Sequence, residues 1–362
     1  MKRLRILTLL LIPLAYALYS YRASIEEPAT FEYTEVIPNE WYETEGEIIT
    51  PKADRRLADQ TYLTFPEWFL VFSPEEQAEF FKKSTSTNYS YQSQVNQFWD
   101  SYKIINKHLE GKYPYNDEYN TMIGVIGVST ELEYDMKSWY ETIIGRVTQS
   151  SFLTDEDYFT QKYTAEYANF LNTAAWYDFD YKKQLKNLWT ETPFFGWNMQ
   201  RKLERKYLLT SEFLLKIAYA EMIKYGSQSM YGEIPTKTVI VTDKLTELMK
   251  KNPTIEVISS GDNGHVLRIP RYTAFMHTAE EIALEDVNII EVAGNKSAIL
   301  STIIAPVNQV FDPKTCRALF TQKLTNNKGF QRVAICTPIN QLNGFIRFCK
   351  KNGIKMEHIY DF

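Results

Sequence analysis

Cysteine is scarce in this 362-residue chain: Cys316, Cys336 and Cys349 are the only three, and all fall in the last fifty residues. Three thiols permit a single disulfide, which excludes a disulfide framework, and the zinc spacings are absent too. No dense Lys/Arg run with interleaved aromatics occurs, so nucleic acid is excluded as a partner. Residues 236–362 carry 16 Lys/Arg against 12 Asp/Glu, a diffuse +4, while residues 1–235 hold −9. After the N-terminus no apolar run is long enough to span a bilayer: Met122–Val128 is seven residues, and Leu208–Ile223 is interrupted by Ser211, Glu212, Lys216 and Glu221. Histidine numbers four, the zincin and di-iron signatures are missing, and no motif names a reaction.

What is present begins with Lys2, Arg3 and Arg5, followed by an apolar run from Ile6 to Tyr21. This is the basic and apolar pattern of an export signal. It is expected to act as a single-span signal-anchor, with Tyr16, Tyr19 and Tyr21 as an aromatic belt and Arg22 snorkelling. Cleavage near Ala17, within Ala15-Tyr16-Ala17, and a buried soluble helix are the alternatives. Three basic residues ahead of the run hold that end in the cytoplasm and place the body outside the cytoplasmic membrane. From Ser24 to Thr50 there are eight glutamates and no basic residue, a self-repelling stretch expected to be an extended tether.

The expected organisation is a signal or anchor at 1–23, a tether at 24–57, a helical domain at 58–235 and a mixed sheet domain at 236–362. In fold class this is α + α/β: an aromatic-rich helical domain followed by a mixed sheet domain of α/β or α+β type. Ser73-Pro74-Glu75-Glu76 has the form of a capping box opening a helix to about Lys83. Further helices are expected over Tyr91–Glu110, stopped by Gly111, over Asp117–Arg146, from Thr154 to Thr173, over Phe179–Trp189, and over Trp197–Tyr225. Two of them share a pattern 79 residues apart: Glu133-Tyr134-x-Met136-Lys137-x-x-Tyr140 recurs as Glu212-Phe213-x-Leu215-Lys216-x-x-Tyr219. Each Glu precedes its Lys by four, the favourable order for an exposed helical ion pair. Beyond Pro235, strands are expected at Lys237–Thr242, Thr254–Ser259, His265–Tyr272, Val287–Val292, Ala298–Ala305, Arg332–Cys336 and Ile354–Tyr360. Asn263-Gly264 makes the hairpin, and helices are expected from Thr278, from Asp312-Pro313 to Thr325, and from Pro338 to Gly353.

Three segments, Thr61-Tyr62-Leu63-Thr64-Phe65-Pro66-Glu67-Trp68, Val125-Ile126-Gly127-Val128-Ser129 and Tyr140-Glu141-Thr142-Ile143-Ile144-Gly145-Arg146, together resemble a family of uncharacterised bacterial membrane-associated proteins. The resemblance covers roughly residues 55–230. It implies a bacterial, membrane-associated protein with a hydrophobic N-terminus, and carries no activity, cofactor or catalytic residue.

Four constellations carry candidate chemistry. Cys336 ends a strand before a helix start, where a thiol's pKa falls, and His265, His277 or His358 would serve as its base. Against this stands a strand cysteine packed as a small hydrophobe. His277 with Glu280 and Glu281 has metal-ligand spacing but no third or fourth partner, so no metal is expected. Glu67, Glu131 and Glu141 beside Trp68, Tyr89, Tyr91, Trp99, Trp139, Tyr140 and Tyr219 are candidates for a carboxylate and aromatic groove. Aromatics at helical spacing are otherwise core. Phe194, Phe195 and Trp197 followed by Arg201, Lys202, Arg205 and Lys206 are candidates for membrane contact, rings inserted and cations at the headgroups.

These observations point to a membrane-anchored envelope protein acting as a binding or scaffold module, with the membrane and another envelope protein as partners and no cofactor. An envelope hydrolase or transferase using the groove or Cys336 is the alternative, and a transport assembly component would expose a broad apolar patch.

Overall fold

A computed structural model describes residues 37–42, 46–230 and 236–361. The described residues hold nine helices of five residues or more and eight strands in two four-stranded antiparallel sheets, a mixed α+β protein with a helical N-terminal part. The expected anchor, Ile6–Tyr21, lies outside the described residues, and among those described no helix is long and apolar enough to cross a membrane. The transmembrane signal-anchor and the single-pass placement in the cytoplasmic membrane are corrected to this extent: neither is supported among the described residues.

The chain forms two compact units, each discontinuous in sequence. A helical unit takes residues 67–99 and 117–230, and a sheet unit takes 37–66, 100–116 and 236–361 apart from the undescribed positions.

The helical unit is built from α1 (Gln60–Phe81), α2 (Tyr91–Leu109), α3 (Asp117–Tyr140), α4 (Asp155–Leu171), α5 (Tyr181–Glu191) and α6 (Met199–Met230), with α1 and α2 contributing part of their length. Helix α1 does not start at Ser73 as expected; it runs through Pro74. Ser73 spends its hydroxyl on Tyr134 (2.9 Å) rather than on a cap, and Phe69, Phe72 and Phe81 are buried at helical spacing, so packing overrides the local stop signal. The expected cap at Thr154 is present: Thr154 and Asp157 close a reciprocal capping box. Phe159 and Tyr163 of α4, Tyr181 and Leu188 of α5, and Leu209 and Phe213 of α6 form one aromatic-rich core cluster. Gly127 lets α3 approach α2, since a Cβ there would collide with the rings of Phe98 and Trp99.

The sheet unit repeats one topology. Strands β1 (Lys237–Thr242), β2 (Glu256–Gly261), β3 (Gly264–Pro270) and β4 (Ile289–Val292) lie in the order β2-β3-β1-β4. Strands β5 (Ala298–Pro306), β6 (Arg317–Lys323), β7 (Phe330–Pro338) and β8 (Lys355–Ile359) lie in the order β6-β7-β5-β8, the same arrangement shifted by four. In each half one helix, α8 (Thr273–Leu284) or α9 (Ile339–Lys351), links the third strand to the fourth. The register irregularities recur too, at Val241/Thr242 and Thr302/Ile303 on the central strands. They recur again at Val257/Ser259 and Ala318/Phe320 on the first edge strands. The short helix α7 (Glu247–Lys251) breaks the symmetry, joining β1 to β2 where the second half has a turn. Inner-face residues of both sheets, among them Leu267, Ile269, Ile303 and Ile335, share one core with Phe275 and Ile282 of α8 and Leu342 and Phe345 of α9.

All pairings are antiparallel, so of the two expected types the sheet unit is α+β rather than α/β. The helix expected from Asp312 is corrected. Asp312 accepts from the Lys314 amide in a local turn, and Arg317–Lys323 is then strand β6 along β7. Finally, residues 46–56, expected to be tether, are docked in the sheet unit. Ile49 packs on the outer face of the first sheet with Val239, Val241 and Val266. Buried Glu291 accepts from the Ile49 amide (2.8 Å), the Thr50 amide (2.8 Å) and the Thr50 hydroxyl (2.7 Å).

Candidate functional site

Helix α6 opens after Asn198, whose φ of 56° turns the chain, and places Arg201, Lys202, Arg205 and Lys206 on its first two turns. The i, i+1, i+4, i+5 spacing puts all four on one half of the helix. That half faces inward: the four residues are only 1–2% exposed and rank among the most deeply buried large side chains. This corrects the membrane-contact reading, because a buried cation cannot reach a headgroup. Phe194, Phe195 and Trp197 remain exposed without them.

Burial of four cations requires paired anions. Arg201 contacts Asp157 (2.7 Å) and Glu204 (3.3 Å), and donates to the carbonyl of Gly145 (3.3 Å) and the hydroxyl of Thr87 (3.2 Å). Arg205 grips Glu141 with both fork nitrogens (2.6 and 3.0 Å), donates to Glu204 through Nε (2.7 Å), pairs with it again through Nη2, and donates to Ser86 (2.8 Å). Both carboxylates hold the Arg205 guanidinium charged against the opposing effect of burial. Lys202 and Lys206 share Glu156 (3.1 and 3.2 Å), which lies in the acidic first turn of α4.

Glu141 sits where α3 gives way to a π turn, Glu141–Gly145. Its Oε1 accepts from Ser86 (2.8 Å) and Arg205, and its Oε2 accepts from Thr87 (2.8 Å) and Arg205, so all four lone-pair positions are filled. Gly145 makes room, since a Cβ there would collide with the Glu141 carboxylate. Widened turns of this kind are frequent at functional sites. Here the turn forms one wall of a recess of about 300 Å³, which is also lined by Thr87, Ser90, Gln92, Ser138 and Arg146.

A second ionic cluster lies between α3 and α6. The contacts Ser129–Tyr219, Lys137–Glu212 and Tyr140–Glu204 run in opposite chain directions, so the helices carrying the repeated pattern are antiparallel neighbours. Lys137 contacts Glu133 (2.8 Å) and Glu212 (3.0 Å), and Lys216 contacts the same two (3.1 and 3.4 Å). The expected exposed pairs are thus one reciprocal, partly buried quartet. Tyr140 and Tyr219 are each half-buried with the hydroxyl bonded, to the Glu204 carbonyl and to Ser129.

Burial opposes ionisation of Glu133, but Lys137 and Lys216 outweigh it and bring the carboxyl down to about 2; Glu212 is lowered by the same lysines against the same burial. An unfolded glutamate titrates near 4.3. The depressed folded values therefore contribute stability above about pH 4.3, and the contribution is lost as pH falls toward 2. Urea denaturation at pH 6, 4 and 3 should show the helical unit weakening between the last two. The Lys137→Met/Lys216→Met variant should lose that acid dependence, and an unchanged pH profile in this variant would sink the assignment.

The expected groove is assembled only in part. Glu141, Tyr89 and Tyr91 meet at the recess. Elsewhere, exposed Glu67 accepts from Tyr119 (2.9 Å), Glu131 accepts from the buried Trp99 indole (2.9 Å), and Trp68 packs near Phe72. Trp139 is exposed, and Tyr219 stacks on Trp176. In the sheet unit Cys336 is fully buried, and burial pushes its thiol up to about 12 even beside the Tyr62 hydroxyl. This corrects the nucleophile reading: a strand thiol without solvent packs as a hydrophobe. Burial, and then Arg271, push His358 well below its ordinary value. Among the described residues no group of three His, Cys, Asp or Glu is assembled for a metal.

Glu141 and the four α6 cations are legible in the sequence as separate candidates, not as partners, and Arg146 is legible there as a helix end rather than as a site residue. The acidic triplet Asp155-Glu156-Asp157 was the available signal for charge partners. No family model, curated protein or solved structure matches the chain.

Proposed function

We propose that the helical unit is a binding module that receives a small polar ligand in the recess beside the π turn and performs no proton transfer there. One observation carries this reading: the only carboxylate among the described residues of the recess wall, Glu141, has every acceptor position filled by Arg205, Ser86 and Thr87. A general base must have a free lone pair within reach of the proton it takes. The other titratable groups of the wall do not replace it. Burial pushes the Tyr89 and Tyr91 hydroxyls far up, a guanidinium offers donors and no acceptor, and the lining includes neither His nor Cys among the described residues. The site is suited to hold a ligand.

Thermal unfolding of the full chain against a panel of sugars, sugar acids, amino acids and nucleotides tests this. A ligand at about 100 times its Kd stabilises the folded state by about 2.7 kcal/mol. At least one compound should raise Tm by several degrees, and Ser138→Trp, which fills the recess, should abolish that rise. A rise that survives Ser138→Trp places binding elsewhere and defeats the proposal.

A further inference from the structure

Part of the polar lining of the recess is already committed. Thr87 donates to Glu141, Thr142 donates to the Ser138 carbonyl, and the Asn88 amide donates to Ser84. Besides the rings of Tyr89 and Tyr91, four lining side chains, those of Ser90, Gln92, Ser138 and Arg146, make no such bond among the described residues. Two hydroxyls and one amide each offer both a donor and an acceptor, and the guanidinium offers five donors.

Ser138, Thr142 and Arg146 are spaced i, i+4, i+8. In an α-helix of 3.6 residues per turn such a column drifts by about 40° per step. The π turn between Ser138 and Arg146 adds a residue to the turn and retards that drift, which keeps the column on the recess while Glu141 faces inward.

Charge selects among ligands. Arg146 is the only cation among the described lining residues, and two arginines behind the wall, Arg201 and Arg205, face three carboxylates, Asp157 and Glu204 behind it and Glu141 within it. Arg146 can pair with one anionic group, and the negative excess beside it disfavours a second. A monoanion is matched. The planar guanidinium fork fits a carboxylate through two parallel hydrogen bonds. Hydroxyl groups on the ligand satisfy Ser90, Gln92 and Ser138, and a recess of about 300 Å³ is at the small end of ligand sites.

We infer that the recess takes a small hydroxylated monocarboxylate, its carboxylate on Arg146 and its hydroxyls on Ser90, Gln92 and Ser138, an inference that rests on the recess being a binding site. Calorimetric titration of the full chain with glycerate, gluconate and galacturonate tests it, with glycerol, galactose and inorganic phosphate as comparison probes. At least one of the three acids should bind at least tenfold more tightly than the neutral probes and phosphate. Arg146→Gln should weaken that acid at least tenfold, with Arg146→Lys intermediate, and circular dichroism should show both variants folded because Arg146 is exposed. An acid whose affinity is unchanged in Arg146→Gln, or is matched by its neutral counterpart, overturns the acidic ligand while the binding module stands. Binding of phosphate above all three acids overturns the carboxylate specifically. Absence of binding by all six probes overturns the ligand class, and the Ser138→Trp thermal panel then decides separately whether the recess binds anything.

Discussion

Replacing Arg205 with Met should destabilise the helical unit by about 3–5 kcal/mol, the cost of breaking a buried ion pair from one side. Arg205 is 1% exposed and serves two buried carboxylates, Glu141 and Glu204, along with Ser86. Methionine fills much of the volume, so the loss is electrostatic: among the described residues, nearly buried Glu141 keeps only the hydroxyls of Ser86 and Thr87, and Glu204 keeps only Arg201 and Thr148. Arg205→Lys keeps the charge but not the fork, and one ammonium cannot reproduce the bidentate grip on Glu141. It should recover only part of the loss. Removing charge from both sides, as in Arg205→Met/Glu141→Gln, should be less damaging than Arg205→Met alone, because fewer unpaired anions stay buried. Six of the seven tryptophans, Trp68, Trp99, Trp139, Trp176, Trp189 and Trp197, lie in the helical unit and Trp41 in the sheet unit, so tryptophan emission during denaturation follows mainly the helical unit. A loss below about 1 kcal/mol for Arg205→Met, within the range of exposed pairs, would show that the network is solvated.

Glu291→Ala should release the N-terminal strap from the sheet unit. Glu291 is fully buried and accepts from two successive backbone amides and one hydroxyl, with Lys296 at 3.6 Å. Hydrogen bonds to a charged acceptor are worth about 1.5–3 kcal/mol each and do not add fully. A local loss of about 3 kcal/mol is expected, which raises the open fraction of the strap about a hundredfold. Lys52, Arg55 and Arg56 provide tryptic sites within it. In the wild type Arg55 is held by the carbonyls of Thr50 and Ile48, and the Arg56 amide by that of Ala293. Trypsin should therefore cut the variant at these residues about a hundred times faster, with the rest of the sheet unit cleaved at the same rate. Equal rates at the strap in both proteins would mean that Ile49 on Val239, Val241 and Val266 holds the strap alone.

The same two clusters show where local signals end. Helix α2 was legible because Gly111, at φ 75°, follows its end, and α4 because Thr154 and Asp157 satisfy each other within four residues. The hairpin between β2 and β3 was legible in Asp262-Asn263-Gly264, and α9 with β8 in the alternation that follows Pro338. Each of these depends on neighbours in sequence. Strand β6 was misread because Asp312-Pro313 is also a good helix start, and pairing with β7 settled the competition. Helix α1 was cut short at Pro74 because the cost of an interior proline is visible in sequence and the burial that offsets it is not.

Charge was the hardest to place. The sequence by itself determined that α6 carries four cations on one half of a helix and that α3 and α6 share a Glu–Lys spacing. Whether those charges meet water, a membrane or one another depends on Glu141, Asp157 and Glu156, which lie 44 or more residues from their partners and come close only when α3, α4 and α6 pack. The tertiary structure decided this. The sign and spacing of a charge are local properties, whereas its desolvation is set by every element that closes around it.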